Sequence, residues 1–139
     1  MELEIDIRVH LKSAFKSGFK IVESKDLGMA KYCRLQYPIL NLEVWNDRFD
    51  YNANLEYDED KFNIIHLANF INDKRTKYIF FDFDFKTRNT DAERFLTQLD
   101  DIIKTEFDNI LHFLFNLTND KKNEFYKYCE KRNLELRGW

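Results

Sequence analysis

Glycine and proline are almost missing from this chain of 139 residues, which holds three of the first and one of the second. That scarcity excludes collagen-like repeats, flexible linkers and low-complexity tracts, and a single domain over 1–139 is the expected organisation. The two cysteines, Cys33 and Cys129, lie far apart and outside any ligand-spaced cluster. Neither a disulfide framework nor a thiolate metal site is expected from them, and they suit a reducing compartment. A basic excess is missing too: the formal net charge is -3. General nucleic-acid binders draw most of their affinity from neutralising phosphate with Lys and Arg, so no direct nucleic-acid contact is expected. Long apolar runs are also absent. From Met1 to Arg8 every apolar position is followed by a charge, which excludes a signal peptide or a membrane span there and makes a cytoplasmic protein the expectation.

What the chain has is aromatic bulk and charge. Phenylalanine alone contributes 14 residues and charged side chains 34% of the total, which together describe an aromatic core inside a well-solvated surface and exclude disorder. Leu3, Ile5, Ile7, Val9 and Leu11 alternate as in a strand, yet Leu3, Ile7, Leu11, Ala14 and Phe15 also form a helical stripe. Ser17-Gly18 then closes the segment as a helix end does, and helix is the favoured reading. Strand signals follow over Phe19–Glu23, Lys31–Tyr37, Leu40–Trp45 and Phe49–Tyr57, with a turn at Lys25-Asp26-Leu27-Gly28. Connections this short join only antiparallel neighbours, so the unit reads as a meander.

Asp58-Glu59-Asp60 reads as the acidic first turn of a helix carrying Phe62, Ile65, Leu67, Ala68 and Ile71. Lys77–Phe85 is the strongest strand signal of all. Thr90 or Asp91 is expected to cap a long helix with Leu96, Leu99, Ile103, Phe107, Ile110, Leu114 and Leu117 on one stripe. Asn119 or Asp120 should cap a last one, through Phe125, Tyr128 and Cys129 to about Asn133. The fold class is therefore α+β. It comprises an N-terminal helix, an antiparallel β-meander, then a helix, a strand and two C-terminal helices, with helices packed on one sheet face.

Catalytic chemistry finds little footing. In Phe80-Phe81-Asp82-Phe83-Asp84-Phe85 two carboxylates one residue apart on a strand point the same way and could share a divalent cation. The pattern resembles the nucleophile strand of haloacid-dehalogenase-type phosphatases, which would make Asp82 nucleophile and Asp84 acid/base. Lys86 stands where that family has Thr or Val, and the fifty-odd residues that follow are too few for the rest of such a fold. Plain alternation, with Asp82 and Asp84 facing water, is the preferred reading. His10, His66 and His112 lie on separate helices with no second ligand three or four residues away. No glycine pair brackets a serine as in a nucleophile elbow, and no glycine-rich loop could cradle phosphate. The expectation is a protein without catalytic residues, metal or cofactor.

Charge is unevenly spread. From Glu43 to Asp60 seven acids stand against Arg48, while the tail after Asn119 is mildly basic. The segment Leu11-Lys-Ser-Ala-Phe-Lys-Ser-Gly-Phe19 leads into a meander rich in Leu, Tyr and Trp and then into a long helical part. This layout resembles the small α+β immunity proteins that bacteria encode beside polymorphic or contact-dependent toxins. The resemblance implies a protein that binds a cognate toxin or effector domain and occludes its active site. An acidic inhibitor suits a toxin with a basic cleft, such as a nuclease, because opposite charge speeds encounter and fixes register. The expected toxin-binding residues are Glu43, Trp45, Asp47, Asp50, Tyr51, Glu56, Asp58 and Glu59, extended by Asp82 and Asp84. The basic tail from Lys121 to Trp139 is the next surface. A small metal-dependent enzyme using Asp82 and Asp84, and a regulatory interaction domain, are the rival readings.

Overall fold

The computed structural model of the chain describes residues 2–47, 50–74, 77–80 and 92–136. The N-terminal segment forms two short helices, α1 (Glu2–His10) and α2 (Lys12–Ser17). Leu3, Ile7, Leu11 and Ala14 are its buried stripe, as the helical period requires. The break at Leu11 is held from outside: Asp100 Oδ1 accepts from the Ser13 and Ala14 amides at 2.9 and 3.3 Å, supplying the cap that α2 lacks in its own sequence. Gly18 ends α2 in the left-handed region (φ 116°), its amide bonding back to Phe15 O. Any side chain there would be strained and would also approach the Tyr37 ring.

Five antiparallel strands follow in spatial order β1-β2-β3-β4-β5: Lys20–Asp26, Ala30–Tyr37, Leu40–Asp47, Asp50–Tyr57 and Asp60–Asn63. The meander agrees with the expectation, but the turn read at Lys25–Gly28 begins later: Lys25 and Asp26 still pair with Tyr32 and Lys31, and Asp26 Oδ1 accepts from the Gly28 amide at 2.9 Å. The start of the next helix does not. Asp58 and Glu59 form a two-residue turn with positive φ (50° and 70°), the primed hairpin geometry that matches strand twist. Asp60–Asn63 then pairs with β4 as β5, and helix α3 (Ile64–Ile71) begins only where Asn63 Oδ1 caps the Ile65 and His66 amides, both at 3.1 Å.

Lys77–Phe80, expected to open a strand, is not one. Amide side chains satisfy its backbone instead: Asn69 accepts from the Lys77 and Tyr78 amides and donates to Tyr78 O, and Gln98 brackets Ile79 N and O. The rest of that run, Asp82 and Asp84 included, lies outside the described residues, as do Thr90 and Asp91. Helix α4 (Ala92–Phe115) carries the expected stripe, while Leu117 falls in the connection to α5 (Asn119–Leu136). Thr118 is the cap of α5, its Oγ1 accepting from the Lys121 amide at 3.2 Å, one residue earlier than read from sequence.

The described helices pack on one face of the sheet. There Cys33, Leu35, Leu42, Val44, Ala53, Leu55 and Phe62 meet Leu67, Leu99, Ile103, Ile110, Leu114 and Phe125 in one core. Helix α5 closes the β5 edge through Tyr126 Oη donating to Lys61 O and the Lys122–Asp60 ion pair at 2.8 Å. The β1 edge is left open but carries Lys20, Glu23, Lys25 and Asp26 and a bulge between Ile21 and Glu23, features that discourage strand addition. No described helix is long and apolar enough to cross a membrane.

Candidate functional site

Alternation sends the other half of each strand to the opposite face of the sheet. Tyr32, Arg34, Glu43, Trp45, Asn52, Asn54, Glu56 and Lys61 stand there in register: Tyr32 opposite Trp45, Arg34 opposite Glu43, Glu56 opposite Lys61. The Tyr32 and Trp45 rings lie 4.5 Å apart between centroids. Beside them runs a charge lattice across β2 to β5. Arg34 donates to Glu43 Oε2 at 3.3 Å and to Glu56 Oε1 at 2.5 Å, Lys61 Nζ meets Glu43 Oε1 at 3.0 Å, and Tyr32 Oη donates to Glu43 Oε2 at 3.1 Å. Glu43 is only 4% exposed, so its carboxylate depends on the two hydrogen bonds to Oε2 and the Lys61 ion pair at Oε1.

The titrations follow from that lattice. Hydrogen bonding to Tyr32 and then to Glu56 raises Arg34 above its already high value. The Glu43 carboxylate raises Lys61. Burial, reinforced by Glu43, pushes the Tyr32 phenol up. Two cations and two carboxylates cancel, so the centre of this face is close to neutral while Trp45 remains partly exposed.

Of the expected binding residues, Glu43, Trp45 and Glu56 therefore share the outer face. Asp47 and Asp50 sit opposite each other at the β3–β4 end of it, both exposed. Asp58 and Glu59 are exposed at the β4–β5 turn, the other end of the sheet. Tyr51 points to the helices, where its ring lies 5.5 Å from Phe95 and its hydroxyl accepts from Asn46. Sequence reading missed Tyr32, Arg34 and Lys61. Their signal is the register: whichever residues sit opposite Trp45, Glu43 and Glu56 must answer them.

Elsewhere, His10 is half-buried and His112 exposed. His66 is buried and bonds Asn133 Oδ1 through Nε2 at 2.9 Å. Burial holds its imidazole below the ordinary value. Both cysteines are free thiols; Cys33 contacts Ser24 Oγ at 3.1 Å, and burial pushes Cys129 up to about 12. Among the described residues no group of three or more His, Cys, Asp or Glu is placed to hold a metal ion. No family model matches this sequence, and neither a curated protein nor a solved structure gives a significant match.

Proposed function

We propose that this chain acts by occlusion, as an immunity protein that covers the active cleft of a cognate bacterial toxin domain with the outer face of its sheet. It makes no chemical conversion of its own on this reading. The observation that carries it is the partly exposed Trp45, its ring packed on the buried Tyr32 ring beside an internally neutralised lattice of ion pairs, on a face that no described helix covers. Aromatic anchors on a pre-organised surface are what a tight interface uses, because little side-chain entropy is lost on docking. The exposed carboxylates of Asp47, Asp50, Asp58 and Glu59 stand at the two ends of that face, where charge steers encounter with a basic partner.

The test is to look for a toxin domain encoded beside this chain and to co-express the two. Protected cells and a stable one-to-one complex in size-exclusion chromatography are expected. Trp45→Ala, folded by circular dichroism, should weaken the complex at least about thirtyfold, the effect of losing a buried aromatic anchor. Unprotected cells, or full protection by the folded variant, would overturn the reading.

A further inference from the structure

A concave pocket of about 400 Å³ opens between the segment after α3 and one stripe of α5, lined by Lys74, Glu124, Lys127, Tyr128, Lys131, Arg132 and Glu135. The six α5 residues recur at the three- and four-residue spacing that puts them on one side of the helix. Four cations face two carboxylates, and the carboxylates are already engaged: Glu124 pairs with Lys74 at 3.1 Å and Lys121 at 3.6 Å, and Glu135 pairs with Arg132. Lys127 and Lys131 have no ion-pair partner among the described residues. Tyr128 is 9% exposed, and its hydroxyl is buried without a hydrogen-bond partner. Its ring stands edge-on to His66, at 6.0 Å between centroids, and His66 Nδ1 is likewise buried and unpartnered.

An unsatisfied buried hydroxyl costs stability, and natural proteins retain few of them. Two solvent-exposed ammonium groups without ion-pair partners stand beside one pocket, and an anion there would offset their water-screened repulsion. The volume falls in the range of small-molecule sites, roughly 300–1,000 Å³, and is concave where a protein partner would prefer a flat surface. The guanidinium of Arg132 can address two oxygens at once, while Lys127 and Lys131 act as point charges.

We propose that this pocket binds a phosphorylated small molecule, its phosphate oxygens held by Lys127, Lys131 and Arg132, with the Tyr128 hydroxyl, closed off from solvent in the free chain, opening on binding to donate to them. The site lies apart from the outer sheet face and does not depend on the toxin reading.

The probe is inorganic pyrophosphate, titrated calorimetrically into the full chain at physiological salt. Saturable binding with a Kd below about 1 mM is expected, against the salt screening that abolishes mere surface attraction. Lys127→Gln with Lys131→Gln should weaken it at least about tenfold. Tyr128→Phe keeps the ring and removes only the orphan hydroxyl, so thermal unfolding should be unchanged or raised while binding falls at least about fivefold. Lys104→Gln, on the exposed side of α4, should bind as the parent does. Absence of saturable binding, or undiminished binding by either the double variant or Tyr128→Phe, overturns the proposal. A phosphoserine peptide binding more than tenfold tighter than pyrophosphate overturns its small-molecule part.

Discussion

Glu106 sits on the apolar stripe of α4, three residues after Ile103 and four before Ile110, and is 3% exposed. Burial would raise its carboxyl, yet donors from Tyr78, Asn72 and Lys77 reverse the effect and hold it below its ordinary value. All three reach Oε2, at 2.9, 2.7 and 3.2 Å. Together with Asn69 they fasten the 72–79 segment onto α4 without any strand pairing. A charged acceptor with three donors contributes on the order of 2 kcal/mol, so Glu106→Gln should lower stability in denaturant unfolding by about that amount at pH 7. The sign with pH follows from the depressed folded-state value. The stabilisation is complete above about pH 4.3, the unfolded carboxyl value, and is lost as the pH falls through the lower folded value. Between pH 6 and 3 the parent should therefore lose more stability than Glu106→Gln; equal slopes would show that the carboxylate carries no charge-dependent load. This residue was legible in principle: an acid interrupting a sustained apolar stripe is either exposed by a kink or buried with partners. Its partners were not legible, because Asn72, Lys77 and Tyr78 come from another segment.

At the level of elements, the long-period signals were easy to read and the short ones were ambiguous. α4 followed from six of the seven apolar positions read at helical spacing, Leu117 lying beyond its end, and β1 to β4 from strand signals joined by short connections. The β5 error has a definite cause. Phe62 and Ile65 fit a helical stripe, and three consecutive acids imitate a helix first turn, whereas Asp58 and Glu59 instead adopt the left-handed conformations of a hairpin turn. The Asn63 cap before Ile64-Ile65 was the better boundary marker. The Lys77–Phe80 reading failed because aromatic alternation describes an extended backbone without saying who bonds it; here Asn69 and Gln98 do. α4 also decides how the layers hold together. Phe107, 8% exposed, packs between Phe19 and Tyr37 at 5.4 and 5.0 Å, where the sheet, the α2 terminus and α4 meet. Phe107→Ala should destabilise by about 3–5 kcal/mol in chemical denaturation. A loss below about 1 kcal/mol would mean that the aromatic cluster closes over the void.

For the molecule as a whole, the sheet separates two kinds of chemistry: one face supplies the core, and the other carries the charge lattice and is covered by no described helix. Four strands of seven or eight residues and a fifth of four, about 4.8 Å apart, present a face of only about 500 Å². A standard interface takes roughly 800 Å² from each partner, so a partner centred on Trp45 must overlap the ends of the sheet. The carboxylates of Asp47 and Asp50 at one end and of Asp58 and Glu59 at the other, roughly 23 Å apart along β4, then fall on the rim of one contact. Sequence reading found these acids as a single block, but their division into a neutral centre and a charged rim depends on strand register. The division yields a kinetic prediction for the proposed toxin complex. Asp47→Lys with Asp50→Lys reverses rim charge at one end. It should slow association by about tenfold at low salt and flatten its salt dependence, leaving dissociation nearly unchanged. Trp45→Ala, on the middle strand β3, should do the converse, speeding dissociation with little change in association. Asp58→Lys should reproduce the rim effect from the far end if the partner spans the face. Surface-binding kinetics at two salt concentrations separate these outcomes. Rim-type behaviour from Trp45→Ala, or centre-type behaviour from Asp47→Lys with Asp50→Lys, would place the contact off the outer face and remove the geometric basis of the occlusion reading.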